Sequence, residues 1–416
     1  MLCGLCLFVL FAFITWKWLE RNPVPILGVY SQPGKWFLLK YCTFFLLLKA
    51  RQFVGARKRR SSPSTTIVAA GYGIKSKDNV AEMEAVQPLP PDQPWDDDEE
   101  GGGIYFVAAI ARRHASLMQT IFTLRIPSIG MLQLPCAPDT HLRQLEEMSY
   151  AAGGLRISPV TPMKEWLIEY DGELVKNKSC SEAGEVDSVG RVELRLRFVA
   201  CAPHFDFDTD ISTEAVCRAN ACEPWSRAYF RRLRAAHQTH YEQCGDYTGE
   251  IKLHHLGKTI RVERMRGVRD HSYGNIRDWT YFHRYVLHFF HLEDGTCGNI
   301  GVISMPRVAM SRLDIGYICH PNGRVSVVDE IRMPLHQIGE TDRDPPPDTF
   351  ALEFRAGGVW RRLEAEVVQR AAFFLGHASE AKVWEQMARF RCDGKLRGWG
   401  IAEWEYRNVD RRKQKQ

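Results

Sequence analysis

The segment Arg191–Ala200, RVELRLRFVA, alternates charged and apolar side chains without a break. A helix would scatter such a pattern around its circumference. A strand sends it to two faces, one for a core and one for water. The same period, in shorter pieces cut by Gly, Pro or charge, recurs along much of the chain. Ile104–Ile110, Ser116–Arg125 and Gly130–Leu134 predict strands, and Lys164–Tyr170 running into Asp171-Gly172 predicts a strand entering a hairpin turn. From Gly249 onward the candidates are Tyr281–Leu292, Asn299–Met305, Arg312–Cys319, Arg324–Ile331, Thr349–Arg355 and Val359–Leu375, then Ala388–Cys392 and Gly400–Arg407. One helix is expected between the two strand sets, over Glu223–Gln243. Pro224 stands near its start and Gly245 after its end, and Trp225, Tyr229, Leu233 and Ala236 fall at helical spacing. The class is therefore mainly β, with two barrels or sandwiches joined near a central helix. This divides the body into 104–222, 223–247 and 248–407, with a basic tail at 408–416.

The first hundred residues follow a different rule. Met1–Trp16 carries no charge, and with Trp18 and Leu19 it approaches the roughly 20 residues of a bilayer-spanning helix. Its bulky end, Thr15-Trp16-Lys17-Trp18, suits an interfacial anchor better than a signal-peptide cleavage site. A membrane anchor over 1–20 is the expectation. Within 21–60, Trp36–Leu48 is a second apolar stretch, short for a span and suited to an interfacial helix. The cations from Lys49 to Arg60 favour the cytoplasmic side, which gives a single-pass anchor with a cytosolic body on an endomembrane. Residues 61–103 are rich in Ser, Pro, Asp, Glu and Gly and predict a flexible tether. Without the N-terminal cations the net charge of +5 falls to near neutrality, so no nucleic-acid partner is expected. The twelve cysteines have no zinc-site spacing and suit buried small hydrophobes in a reducing compartment. No metal and no cofactor is expected.

Polar chemistry concentrates between Arg266 and Ser304. Arg269, Asp270, His271 and Ser272 stand together, and an Arg beside an Asp can tune a carboxylate and fix a His tautomer. The competing reading is that buried Arg-Asp pairs brace the end of a barrel and do no chemistry. Strand alternation puts Tyr281, His283, Tyr285, Leu287, Phe289 and His291 on one face, and Phe282, Arg284, Val286, His288, Phe290 and Leu292 on the other. The first face suits the lining of an apolar cavity, as in a mid-sized barrel. Candidate ligand contacts are thus Ser272, Tyr273, Trp279, Tyr281, His283, Tyr285 and His291. His237 and His240 fall one helical turn apart near Glu242, without a third metal ligand, and suit surface or interface roles. In the alternating run Phe205–Asp210, Asp210 or Ser212 is placed to cap a short helix before Cys217.

RGVRDHSYG, FHRYVLHFFHLEDGT, NIGVISMP, GYICHPNG and RGWGIAEWEYR, with FDFDTD and YFRRLRAAHQTHYEQCG upstream, resemble the N-terminal region of animal phosphoenolpyruvate synthase-like proteins over about Ile104–Arg407. More distantly, RDHSYG resembles the RDHSWG-type motif of carotenoid hydratase-like (hydroxyneurosporene synthase) proteins, with Tyr273 in place of the Trp. That resemblance implies tandem lipocalin-like barrels, an apolar substrate, and a role for Arg269, Asp270, His271 and Ser272. Neither a phosphate-cradling Gly-rich loop nor a phosphohistidine setting is present, so phosphotransfer is not expected of this chain. The leading expectation is a membrane-anchored lipocalin-like module for a lipid or isoprenoid. The first alternative is a hydratase or isomerase acting on an alkene, with Asp270 or His271 as acid and Arg269 as its tuning partner. The second is an accessory scaffold for a phosphoenolpyruvate synthase-type phosphotransfer enzyme.

Overall fold

The computed structural model describes residues 19–61, 81–88, 105–114, 117–127, 129–143, 151–161, 163–176, 188–274, 279–306, 308–340, 346–376 and 378–408, with Thr15 and Lys17 ahead of them. The expected 1–20 anchor therefore lies largely outside the described residues. Among those described, no helix is long and apolar enough to cross a membrane. Helix α1 (Phe37–Ser61) takes in most of the second apolar stretch and the basic run behind it.

Twelve strands form the first sheet. They are β1 (Ala81–Pro88), β2 (Tyr105–His114), β3 (Leu117–Ile126), β4 (Gly130–Gln133), β5 (His141–Arg143), β6 (Ala151–Ala152), β7 (Leu155–Thr161), β8 (Glu165–Lys176), β9 (Ser188–Ala200), β10 (Phe205–Asp206), β11 (Gln238–Leu253) and β12 (Lys258–Gly274). Strand β9 pairs with both β8 and β11, so the sheet curls back on itself. Its β4–β8 seam holds only Leu132–Gln133 against Val175–Lys176. The alternation of β9 is realised as read: Val192, Leu194, Leu196 and Phe198 are buried, and Arg191, Arg195 and Arg197 face water. Packed on them inside the curl are Phe122, Trp166, Tyr170 and Tyr247.

The second unit is a closed eight-stranded antiparallel barrel. It comprises β13 (Arg284–Leu292), β14 (Cys297–Ser304), β15 (Leu313–Cys319), β16 (Val325–Arg332), β17 (Thr349–Ala356), β18 (Val359–Leu375), β19 (Ala381–Cys392) and β20 (Leu396–Arg407). Each strand pairs with the next, and β20 closes on β13. Gly357-Gly358, both at positive φ, turn the β17–β18 hairpin. Val286, Phe290, Phe354, Phe390 and Trp404 fill the interior. One end is plugged by Tyr30 and by the buried guanidinium of Arg284. Arg284 lies over the Trp404 and Tyr406 rings and donates to the Leu335 and Ile338 carbonyls.

Several sequence expectations change here. The short helix expected near Cys217 is α2 (Thr213–Cys222), capped by Ser212. Of the helix expected over Glu223–Gln243, only α3 (Arg227–Ala235), capped by Ser226, is formed. From Gln238 the chain is strand, because β11 finds partners in β9 and β12 that local propensity does not reveal. For the same reason β11 and β12 belong to the first unit, and the boundary moves from 248 to the segment after Gly274. Asp171-Gly172 is not a turn: β8 runs through it, opposite Glu193 and Val192. Within the stretch read as a tether, Ala81–Pro88 forms β1 between β12 and β2.

Candidate functional site

The two units meet face to face. Val107, Met131, Phe205, Cys244 and Val268 of the first pack on Phe289, Tyr317, Met387, Trp399 and Ile401 of the second. Phe205 stacks on Tyr317 with ring centroids 4.6 Å apart. The Thr140 hydroxyl donates to the Phe374 carbonyl at 2.7 Å and Arg125 Nε to Gln369 Oε1 at 2.9 Å. Next to this layer the two surfaces diverge and leave a cavity of about 200 Å³.

One wall is the outer face of the first sheet, with Val107, Ala109, Ile121, His240, Glu242 and Asp270. The other is the outside of the barrel, with Tyr285, Leu287, Phe289, Ile303, Leu313, Ile315, Phe373, Glu385 and Glu403. Phe207, Asp208, Leu233 and His237 contribute from the α2–α3 region, and Trp279 and Phe282 from the segment between the units. The aromatic face read from β13 is thus correct in its alternation, but it looks out of the barrel. The space it lines lies between the units, because both interiors are filled by side chains.

Polar groups are gathered in three places on this apolar surface. On the first wall, His240 Nδ1 lies 2.6 Å from Ser272 Oγ and 3.8 Å from Asp270 Oδ2. Its Nε2 lies 3.1 Å from Glu242 Oε1, which also accepts from Asn299 Nδ2 at 2.7 Å. In the neutral tautomer that donates from Nε2 to Glu242, Nδ1 accepts from the Ser272 hydroxyl. At the α3 end, His237 Nε2 pairs with Asp208 Oδ1 at 2.7 Å, and Thr239 donates to Asp208 Oδ2 at 2.9 Å. On the barrel wall, Tyr285 donates to Glu403 at 2.5 Å, and Glu385 stands directly opposite Glu403 on the neighbouring strand. Among the described residues no group is spaced to hold a metal ion.

Strand geometry divides the Arg269–Ser272 cluster. Asp270 and Ser272 turn to the inter-unit face, Asp270 lining the cavity and Ser272 buried behind His240. Arg269 and His271 turn the other way. Arg269 lies inside the first sheet with its guanidinium 3.6 Å above the Trp166 ring, and its NH2 group donates to the Tyr241 hydroxyl. His271 packs near Tyr241. Trp279 and Tyr285 line the cavity, whereas Tyr281 is more than a third exposed and does not. His283 is bound to Glu340 at 2.6 Å at the plugged barrel end, and His291 is buried elsewhere on β13. The side chain of Tyr273 lies outside the described residues.

Sequence reasoning missed His237, His240, Glu242, Glu385 and Glu403 as cavity residues. For His240 and Glu242 the signal was present, two residues apart as one face of a strand requires, but Gln238–Gln243 was read as helix.

A model of a family of unknown function, DUF8627, matches residues 3–406. The chain belongs to DUF8627. No curated protein matches this DUF8627 chain. Its backbone is similar to an AttH-type protein from Nitrosomonas europaea, with TM-score 0.43 and 14% identity over 79% of this chain and 94% of the other. It is similar to CghA with Sch210972 at TM-score 0.43 and 10% identity, over 79% and 88%. Kievitone hydratase from Nectria haematococca gives TM-score 0.41 and 9% identity, over 79% and 89%. The resemblance to phosphoenolpyruvate synthase-like proteins finds no support in these matches.

Proposed function

We propose that this chain binds a compact, largely apolar molecule between its two β-units and moves a proton to or from a carbon–carbon double bond of it, as a hydratase or isomerase does. The observation that supports this reading is an apolar cavity with an acid and an imidazole side by side on one wall, Asp270 and His240. Proton transfer to carbon needs a donor within reach of the alkene, a base to take the proton back, and surroundings that keep bulk water out. Asp270 is the donor facing the ligand. His240, backed by Glu242 and Ser272, relays the proton and orients an attacking water. On addition, the alkene takes a proton at one carbon, water bonds to the other, and the proton lost by that water returns to the pair. On isomerisation, a neighbouring C–H supplies the returning proton instead.

The order Ser272–His240–Glu242 is that of a nucleophilic triad. Ser272 is buried and does not reach the cavity, which favours an orienting role for it over acyl transfer. Size narrows the substrate: a protein cavity of about 150 Å³ takes up benzene, so this site suits roughly ten non-hydrogen atoms. That argues for a small arene, a short terpenoid or an enone, and against a long acyl chain.

The test is incubation of the full chain with styrenes, short enones and monoterpenoid alkenes in heavy water, read by mass and NMR. Deuterium at an alkene carbon, with or without gain of water, is the expected result. Asp270→Asn and His240→Gln should each slow it by about 100-fold, the scale of one acid–base group. A ligand that binds and raises the melting temperature but gains no deuterium would leave a binding module. Absence of binding across the panel would overturn both readings.

A further inference from the structure

Helix α1 has two apolar sides, and the body covers only one. Tyr41, Phe44, Phe45 and Leu48 pack on Val216, Leu233, Ala309 and Leu313, and Lys40 is tied to the Glu223 carbonyl at 2.6 Å. At 100° per residue these positions share one side of the helix. The opposite side carries Leu38, Leu39, Leu46, Leu47, Phe53 and Val54, between 51% and 74% exposed. Cys42, Thr43 and Ala50 lie among them, also exposed, so no charge interrupts the stripe. Lys49 and Arg51 fall at its borders, and Arg57, Lys58, Arg59 and Arg60 follow in the last turns. The helix contains no acidic residue.

A soluble surface rarely leaves six large hydrophobes contiguous on one helix. The charge pattern selects the occupant. Cations alone, set at the edges and C-terminal end of an apolar stripe, match a lipid surface: alkyl chains meet the stripe, and long basic side chains reach back to anionic headgroups. The run is too short and too charged to cross a bilayer. We propose that α1 lies in the plane of an anionic membrane, its outer stripe sunk to the acyl boundary and its inner side holding the body. This is independent of the chemistry proposed for the cavity. The cluster beneath α1 includes Leu233, Ala309, Leu313 and Ile315, which also line the cavity, so the helix is one layer from that wall.

The test is photo-crosslinking of the full chain on vesicles of phosphatidylcholine and phosphatidylserine in a seven-to-three ratio. Benzoylphenylalanine is placed in turn at Leu39, Leu46 and Phe53, and at the exposed Leu256 of the first unit as a control. Lipid adducts at the three stripe positions and none at Leu256 are expected. L39E/F53E should lose the adduct at Leu46 while keeping the thermal transition. If the N-terminal apolar segment alone holds the chain to the vesicle, the stripe positions give no lipid adducts, and the proposal fails. Adducts between two protein copies at these positions would also overturn it, in favour of a dimer through α1.

Discussion

His288 sits inside the barrel with no exposed surface, and its Nδ1 donates to the Ile300 carbonyl at 2.9 Å. Burial holds its pKa down at about 4, against 6.5 for an ordinary histidine. The unfolded chain therefore takes up a proton here at a higher pH than the folded one. Stability from this residue is full above pH 6.5, falls as pH drops towards 4, and stops falling once the native ring protonates. Linkage puts the loss between pH 7 and pH 5 at about 2 kcal/mol. Urea unfolding at those two pH values should show that difference, and His288→Gln should remove most of it. An unchanged pH slope in the variant would place the proton uptake elsewhere. Among the described cysteines, Cys217, Cys244, Cys297, Cys319 and Cys392 are buried as the sequence reading expects, whereas Cys42 and Cys201 are exposed. Burial is the chief reason the thiols of Cys217, Cys222 and Cys392 are pushed up to about 11, which suits packing and not reactivity.

At the scale of the element, strand type was legible wherever one face of a strand meets water, because alternation is then written into the sequence. Strands β9 and β18 are such cases, and β18 was bounded to the residue. Strand β15, LDIGYIC, is buried along its whole length and, apart from Asp314, carries no charged residue to mark a water-facing side. Its Gly316 has φ +138°, and a Cβ there would lie 2.2 Å from the Asn299 carbonyl oxygen. Asn299 is also the residue whose side chain holds Glu242 at the cavity. Gly316→Ala is therefore expected to cost roughly 2 kcal/mol through backbone strain and displacement of the paired strand. It should also weaken ligand binding through Asn299. Denaturant unfolding and binding measured on the same preparation check both parts, and a variant of unchanged stability would refute the close approach.

For the whole molecule, the layer between the units decides both cohesion and site. Phe205 is buried there against Tyr317, far along the chain from it. Phe205→Ala should cost about 3 kcal/mol, in the range for emptying a buried aromatic site. It should also separate the unfolding of the two units, or broaden a joint transition, in calorimetry. A loss below about 1 kcal/mol would mean that the units are held mainly by their hydrogen bonds. A ligand that enters the cavity touches both units, so it should raise the temperature of both transitions together.

The sequence by itself determined the class, most strand positions, the two-faced character of β13 and the concentration of polar groups after Arg266. Each of these is a local periodicity or a local composition. Only the tertiary structure decided that β11 and β12 complete the first unit, that the aromatic face of β13 looks outward, and that Asp270 meets His240 while Arg269 turns away. The physical reason is pairing. A strand's partner, and hence which of its faces is covered by which surface, is set by contacts between residues far apart in the chain. A one-residue difference in facing then separates a cavity acid from a buried brace.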